Sequence, residues 1–165
     1  MRTPRVLNLK EFPMALVRLV YYAENRISPQ AGEMADQVGE FLASAAGTHR
    51  LASITGGMIY DSCWFGQVLE GEEKAIAALY EEIAQDPRHG EIVLLEHVYI
   101  TSRRFTYWWM AAATWGSHSA ELLQTHCQTD RFDPRRTSGA ALTDLVAALV
   151  HRQTQYTVPE FAEAG

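Results

Sequence analysis

Residues 51–70 read LASITGGMIYDSCWFGQVLE and contain the pattern on which the fold prediction depends. Two runs rich in β-branched, aliphatic and aromatic residues, 51–60 and 63–70, flank the tight turn Asp61-Ser62, which is typical of a β-hairpin. A glycine pair inside the first run weakens a strand unless another backbone or a ligand approaches closely. The stretch therefore predicts two neighbouring antiparallel strands, the first with room for a close approach.

The segments before and after the hairpin extend the pattern. Residues 15–23, ALVRLVYYA, are mostly apolar on both faces, which predicts a central strand. A helix is predicted from Ser28-Pro29 to Gly47, because serine caps a helix start, proline suits its first position and glycine ends it. A second amphipathic helix is predicted to end before Pro87.

Two more strands complete the predicted sheet. Gly71 is predicted to break the return strand of the hairpin, and further strands are predicted at 91–100 and 105–113. The order is strand, helix, strand, strand, helix, strand, strand. This order predicts an α+β ferredoxin-like sandwich, βαββαββ, with two helices on one face of one sheet.

The last part of the chain predicts two C-terminal helices, at 118–128 and 138–153, separated by Asp133-Pro134. These helices either cover the open face of the sheet or pair with another subunit. Exposed apolar helix faces favour a homo-oligomer.

The composition bounds the function. A chain of 165 residues with 14 basic and 20 acidic side chains, net charge −6, offers no basic surface for nucleic acid. Cys63 and Cys127 have no metal-ligand spacing and predict free thiols in a reducing compartment. We find no signal peptide or membrane span, which predicts a cytoplasmic protein.

The predicted division of the chain is a flexible extension (1–13), one folded domain (14–112) and a helical output or oligomerisation extension (113–165).

No catalytic pattern stands out, and we predict that the chain is not an enzyme. The six histidines are scattered, no three residues have the spacing of a metal site, and phosphate-loop and GxSxG patterns are absent. A small acylphosphatase-like hydrolase is a rival that would need Arg26 in an anion-binding loop. The loop after the first strand, AENRISPQ, lacks the glycine-rich turn for it.

One polar pair stands out in the predicted core. Tyr21 and Gln67 both lie mid-strand, and a buried hydroxyl or amide needs a hydrogen-bond partner. Gln67 shares its predicted face with residues that are mostly apolar: Cys63, Phe65 and Leu69. Trp108 and Met110 share one face of the fifth strand. For the isolated pair, an ordinary structural bond between Tyr21 and Gln67 is favoured over a functional role, because most buried polar groups are satisfied structurally.

Four motifs in order resemble those of the BLUF domains, the flavin-based blue-light sensors. These are ITGGMIY, FGQVLEG, DPRH and RRFTYWWM, and the resemblance extends over residues 15–112. It implies the same sandwich, with a noncovalent flavin between the two helices that cover one sheet face. The implied cofactor is FAD, with FMN as the alternative.

The resemblance also implies roles for single residues. Tyr21 matches the photoactive tyrosine, and Gln67 the glutamine that switches its hydrogen bonds around the flavin ring. Trp108 and Met110 match the tryptophan and methionine of the fifth strand, with Trp109 as the competitor if the register slips by one residue. The implied flavin-contacting residues are Tyr21, Phe41, His49, Gln67, Asp86, Arg88 and His89.

Two positions depart from the family pattern. His49 stands where the family carries an asparagine whose amide contacts the edge of the ring, and Ala23 stands where a serine often occurs. A neutral imidazole has one donor and one acceptor, but they diverge across a ring. It also titrates near neutral pH, so flavin affinity or colour would depend on pH.

The implied function is a blue-light photoreceptor. After excitation of the flavin, Tyr21 would donate an electron, a proton would move through Gln67, and the Gln67 amide would rearrange. Strand five would relay the change to the C-terminal helices and to a separate, unidentified partner protein. The alternative is a light-insensitive, chromophore-free BLUF-like module for protein interaction.

Overall fold

A computed structural model describes most of the chain. The described residues are 15–27, 53–112, 117–128 and 131–156, of which 108–112, 117–120 and 153–156 are described by their backbone alone. The predicted extension at 1–13 and the predicted helix at 28–47, with Phe41, lie outside the described residues, as does His49.

Five strands form one sheet in the order β4-β1-β3-β2-β5. They are β1 (Leu16–Asn25), β2 (Thr55–Tyr60), β3 (Trp64–Glu72), β4 (His89–Tyr99) and β5 (Trp108–Ala112). The first four pair antiparallel in the order β4-β1-β3-β2, and β5 joins β2 in parallel at one edge. This order confirms the ferredoxin-like α+β class predicted from the alternation of elements.

Helix α1 (Glu73–Gln85) packs against the first face of the sheet. Its buried side chains Ile76, Leu79 and Ile83 lie in one cluster with residues of β1 and β3: Val17, Leu19, Tyr21, Ala23 and Leu69. The side chains of β1 alternate between the two faces, because successive residues of a strand point in opposite directions. This first face holds the predicted functional pair.

The second face of the sheet is covered by the C-terminal part of the chain. It contains α2 (Ser117–Cys127), a short 3₁₀ helix (Pro134–Arg136) and α3 (Gly139–Tyr156). One cluster joins the sheet to these elements through Val20, Ile59, Val68, Leu123, Phe132, Leu142, Leu145 and Val146. Of the two roles predicted for the C-terminal helices, covering the open sheet face is therefore the one observed. The homo-oligomer predicted from the same helices stays a prediction.

None of the helices in the described part of the chain combines the length and the apolar character needed to cross a bilayer.

Two local predictions were wrong. Gly71 does not break β3, which continues to Glu72 and leads directly into α1. A side chain at Gly71 would stand 3.3 Å from Ile54 Cγ1 and 3.4 Å from Ile76 Cδ1. The glycine therefore lets α1 pack closely on the strand. Cys63 does not share the core face with Gln67, because it lies exposed in the turn before β3.

Candidate functional site

Tyr21 and Gln67 face each other at the centre of the sheet. They are directly paired in the register of β1 and β3, and the Tyr21 hydroxyl donates a hydrogen bond to Oε1 of Gln67. Tyr21 is fully buried and Gln67 is 1% exposed. Burial raises the pKa of Tyr21 well above its usual range, with smaller contributions from Tyr80 and Asp86. The tyrosine therefore keeps its proton throughout the physiological pH range.

Aromatic rings surround this pair. The Tyr21 ring meets Tyr80 of α1 edge to face, with 5.7 Å between centroids, and lies 6.3 Å from His89. Phe65 of β3 lies 4.9 Å from His89 and 6.4 Å from Tyr60 of β2. Three strands and a helix thus contribute rings around the polar pair. Nothing in the sequence spacing of Phe65 and Tyr80 distinguishes them from other core residues.

The turn between α1 and β4 holds two of the predicted flavin contacts. Asp86 ends α1, and its Oδ1 accepts from both the backbone nitrogen and Nε of Arg88, each at 2.9 Å. These hydrogen bonds with Arg88 hold the pKa of Asp86 below its usual range. The Arg88 side chain is 42% exposed, so the pair lies at the margin of the buried site. A flavin contact by either residue stays a prediction.

His89 begins β4 and is buried beside Tyr21 and Phe65. Burial lowers its pKa from 6.5 to about 4, while the charge of Asp86 opposes this effect and that of Arg88 adds to it. At neutral pH the imidazole is therefore uncharged. It belongs to the same enclosed, mostly apolar surroundings as the polar pair.

The register also places the backbone of β5. Met58 of β2 pairs with Gln67 on one side and with Met110 on the other, so Tyr21, Gln67, Met58 and Met110 form one row across four strands. Trp108 pairs with Gly56. The side chains of Trp108, Trp109 and Met110 are outside the described set, so the choice between the two tryptophans stays a prediction.

Gly56 explains the glycine pair noticed in the sequence. Its φ is +145°, and a Cβ there would stand 1.9 Å from the carbonyl oxygen of Val68 in β3. Only glycine fits such a close approach of two backbones. The requirement comes from the neighbouring strand and needs no ligand.

The structure also bears on the anion-binding and metal sites considered from the sequence. Arg26, the residue needed by an acylphosphatase-like reaction, lies exposed and pairs with Glu24, with 3.3 Å between Nε and Oε2. Within the described residues no three His, Cys, Asp or Glu side chains are grouped to hold a metal ion.

Sequence reasoning missed Glu70, a charged residue of β3 whose side chain is fully buried. A glutamate near the end of a strand gives no sign in the sequence that it is enclosed.

Comparison with known proteins agrees with this architecture. The family model BLUF, described as sensors of blue-light using FAD, matches residues 16–111. The blue light- and temperature-regulated antirepressor BluF of Escherichia coli strain K12 is 34% identical over 73 residues. That match covers 44% of this chain and 18% of the antirepressor, so the chain spans less than a fifth of that curated relative.

Solved structures match over a larger share of the chain. The dark-state structure of BlrB, a BLUF protein, is 31% identical, has a TM-score of 0.61, and is matched over 83% of this chain and 98% of its own. The photo-activated state of BlsA has a TM-score of 0.69 at 24% identity, over 82% of this chain and 94% of its own, and supports the fold alone. The motif resemblance, the sheet order and the family match over more than half of the chain agree. The chain therefore belongs to the BLUF family of blue-light sensors that use FAD.

Proposed function

We propose that this chain senses blue light through a noncovalently bound FAD and uses the hydrogen bond between Tyr21 and Gln67 as its switch. The observation that carries the proposal is this bond between two fully enclosed polar side chains in an apolar cluster. A structural bond alone would serve an ordinary core equally well. Membership of a flavin-binding family supports the functional interpretation.

The described residues fit a flavin ring. The ring is planar and largely apolar, with polar atoms along its edge, so it suits an apolar cavity that offers a few polar groups. The first face supplies an amide and a hydroxyl among apolar and aromatic side chains. The uncharged His89 and the protonated Tyr21 add no charge to these surroundings. The predicted contacts Phe41 and His49 would complete the site from outside the described residues.

The bound flavin supplies the absorption of blue light and, when excited, an acceptor for an electron. Tyr21 would give up an electron from its ring and a proton from its hydroxyl. The hydroxyl already donates to Oε1 of Gln67, so the proton has a direct path. An amide carries an acceptor at one end and two donors at the other, and its rotation exchanges them. We infer that this rotation changes what Gln67 presents to the flavin.

We further propose that the change reaches the C-terminal helices and a separate partner protein. α3 packs against the opposite face of the strands that carry Tyr21 and Gln67. The function is sensing rather than catalysis. The free thiols of Cys63 and Cys127 suit the reducing cytoplasm, as predicted from the sequence. We also propose that the bound flavin is FAD rather than FMN and that the protein forms a homo-oligomer.

The test is an absorption spectrum of the purified protein before and after blue light. We expect a yellow protein whose flavin band shifts reversibly to the red. Tyr21→Phe should keep the colour and lose the shift, because it keeps the ring and removes the hydroxyl. Chromatography of the flavin released by denaturation distinguishes FAD from FMN.

Tyr22→Phe is the matched control. Tyr22 is the next residue of β1, and its ring packs against Trp64 on the opposite side of the strand, at 5.8 Å between centroids. This variant should retain the shift. A protein that is colourless and takes up neither FAD nor FMN would instead be a chromophore-free interaction module. A shift that persists in Tyr21→Phe would remove Tyr21 from the switch.

A further inference from the structure

A second polar pair lies on the opposite face of the same two strands. Arg18 and Glu70 are paired in the β1–β3 register, three residues from the pair formed by Tyr21 and Gln67. Three residues along a strand span about 10 Å and reverse the direction of the side chain. One pair therefore faces α1 and the other faces the C-terminal part of the chain, on a shared backbone.

Glu70 uses both of its carboxylate oxygens. Oε1 accepts from Nε of Arg18 at 2.8 Å and lies 2.6 Å from Nη2 of the same side chain. Oε2 accepts from the backbone nitrogens of Arg104 at 2.8 Å and Phe105 at 3.0 Å. The side chain is fully buried. Charge-assisted bonds of this kind are shorter and stronger than neutral ones, so they hold the two backbone amides firmly.

These amides belong to the segment that leads from β4 into β5. Arg103 strengthens the same junction, because its Nη1 donates to the carbonyl of Glu70 and to Oγ1 of Thr55, each at 2.8 Å. Phe105 lies three residues before Trp108, the first residue of β5. Glu70 therefore fixes the point at which the chain enters β5.

The same segment contacts α3. The Arg104 side chain pairs with Asp144 of α3. Phe105 is buried in the cluster that contains Leu145 and Val146 of that helix. Glu70 lies on β3, the strand that carries Gln67, and pairs with Arg18 of β1. Through Arg104 and Phe105 it is also connected to the start of β5 and to α3.

We propose that Glu70 is a positioning residue that couples the Tyr21–Gln67 switch to helix α3. The proposal rests on the function proposed above and adds a route for the signal through the back of β3. A displacement of β3 at Gln67 carries Glu70 with it, since both lie in one hydrogen-bonded strand. The carboxylate then moves the amides of Arg104 and Phe105, and with them the contacts that this segment makes with α3.

The test uses Glu70→Gln, which keeps the size of the side chain and removes its charge. Two quantities are measured on the flavin-loaded full chain: the red shift under blue light, and amide hydrogen exchange in residues 139–150 of α3 in light and in darkness. The wild type should show the shift and a light-minus-dark difference in α3. Glu70→Gln should keep the shift and reduce that difference about fivefold or more, within the usual range of coupling between sites.

Glu73→Gln is the matched control. It makes the same chemical change at the first residue of α1, directly after that strand, where Glu73 accepts from the Tyr99 hydroxyl at the surface. It should leave both measurements unchanged. Arg18→Met, which leaves Glu70 in place, is the second variant if Glu70→Gln does not fold. It should also keep the shift and weaken the response of α3.

The outcomes separate the two proposals. A wild type that shifts and responds in α3, with a full response retained in Glu70→Gln or in Arg18→Met, overturns the coupling role and leaves the photoreceptor intact. A wild type that shifts without any response in α3 also overturns the coupling. If the wild type shows no shift, the proposed function fails and the coupling fails with it.

Discussion

Burial sets the charge of Tyr21 and of the neighbouring His89. A phenol and an imidazole lose favourable hydration when they are enclosed, so each is held in its uncharged form. For Tyr21 the pKa rises well above the usual range, and for His89 it falls to about 4. Both groups are consequently neutral at pH 7. A neutral lining suits a largely apolar ring better than a charged one, because an unpaired buried charge is costly.

The lowered pKa of His89 predicts a pH-dependent stability. Between pH 6.5 and about 4 the unfolded state binds a proton at this residue and the folded state does not, so the free energy of unfolding rises with pH in that window. The contribution is complete above pH 6.5, is lost as the pH falls, and stops changing below about 4. A shift of this size corresponds to roughly 3 kcal/mol. Urea denaturation at a series of pH values measures it.

The difference between the wild type and His89→Leu isolates this term from other groups. Asp61 needs such a correction, because burial raises its pKa and gives an opposite slope above pH 3.8. We expect the difference in unfolding free energy to rise with pH across the window. His97→Leu changes an exposed histidine of the same strand and should leave the slope in place. Parallel profiles for the wild type and His89→Leu would show that His89 ionises freely in the folded protein.

The C-terminal part of the chain packs closely on the back of β3. A Cβ at Gly66, next to Gln67, would stand 2.8 Å from Cζ of Phe132, 3.0 Å from Cγ2 of Ile59 and 3.2 Å from Cδ1 of Leu142. Phe132 lies between α2 and the 3₁₀ helix, and it is 3% exposed. The linker between the C-terminal helices therefore packs directly on the strand that carries the switch.

This contact predicts a measurable coupling between Gly66 and Phe132. Gly66→Ala should destabilise the protein by about 1–3 kcal/mol, because the added methyl group overpacks a dense core. Phe132→Leu alone should also destabilise it, since it leaves part of a cavity. The double variant should lose less stability than the sum of the two, because the smaller side chain makes room for the methyl group. Urea denaturation of the four proteins gives the cycle.

Ala23→Gly is a useful comparison for this cycle. Ala23 is buried on the first face of the sheet, so its combination with Phe132→Leu should be additive within about 0.5 kcal/mol. Additive losses for Gly66→Ala and Phe132→Leu would mean that the linker moves away from β3 without cost.

The elements also show what the sequence could and could not predict. Apolar runs and turn residues predicted every strand described here, because buried strand faces carry apolar side chains. The parallel pairing of β5 with β2 was not predicted, since it depends on the path of the segment between β4 and β5. Gly71 was misread because the same residue type can end a strand or admit a closely packed helix.

The candidate site was predictable to a similar degree. Tyr21 and Gln67 were found because a polar residue on an apolar strand face is conspicuous. Their direct bond depends on the register of β1 and β3, which only the folded chain specifies. Glu70 and Phe132 were missed because each owes its role to a residue far away in the sequence.

The two faces of the sheet pack against different parts of the chain. The first face holds α1 and the polar pair, and the second face is buried under α2, the linker and α3. A strand covered on both sides cannot shift on one side without affecting the packing on the other, because protein interiors have few voids. The second hydrophobic cluster contains residues from both sides of the predicted domain boundary between residues 112 and 113.

Shared burial predicts that the C-terminal helices unfold together with the sheet. Leu145 of α3 is fully buried in the second cluster, and Leu145→Ala should lower the free energy of unfolding by about 2–5 kcal/mol. Far-UV circular dichroism and tryptophan fluorescence should follow one coincident transition in urea. Ala140→Gln, at an exposed position of the same helix, should change stability by no more than about 0.5 kcal/mol. An early transition confined to the helical signal would show instead that α3 unfolds as an independent unit, and a signal carried through Glu70 would then have no rigid element to receive it.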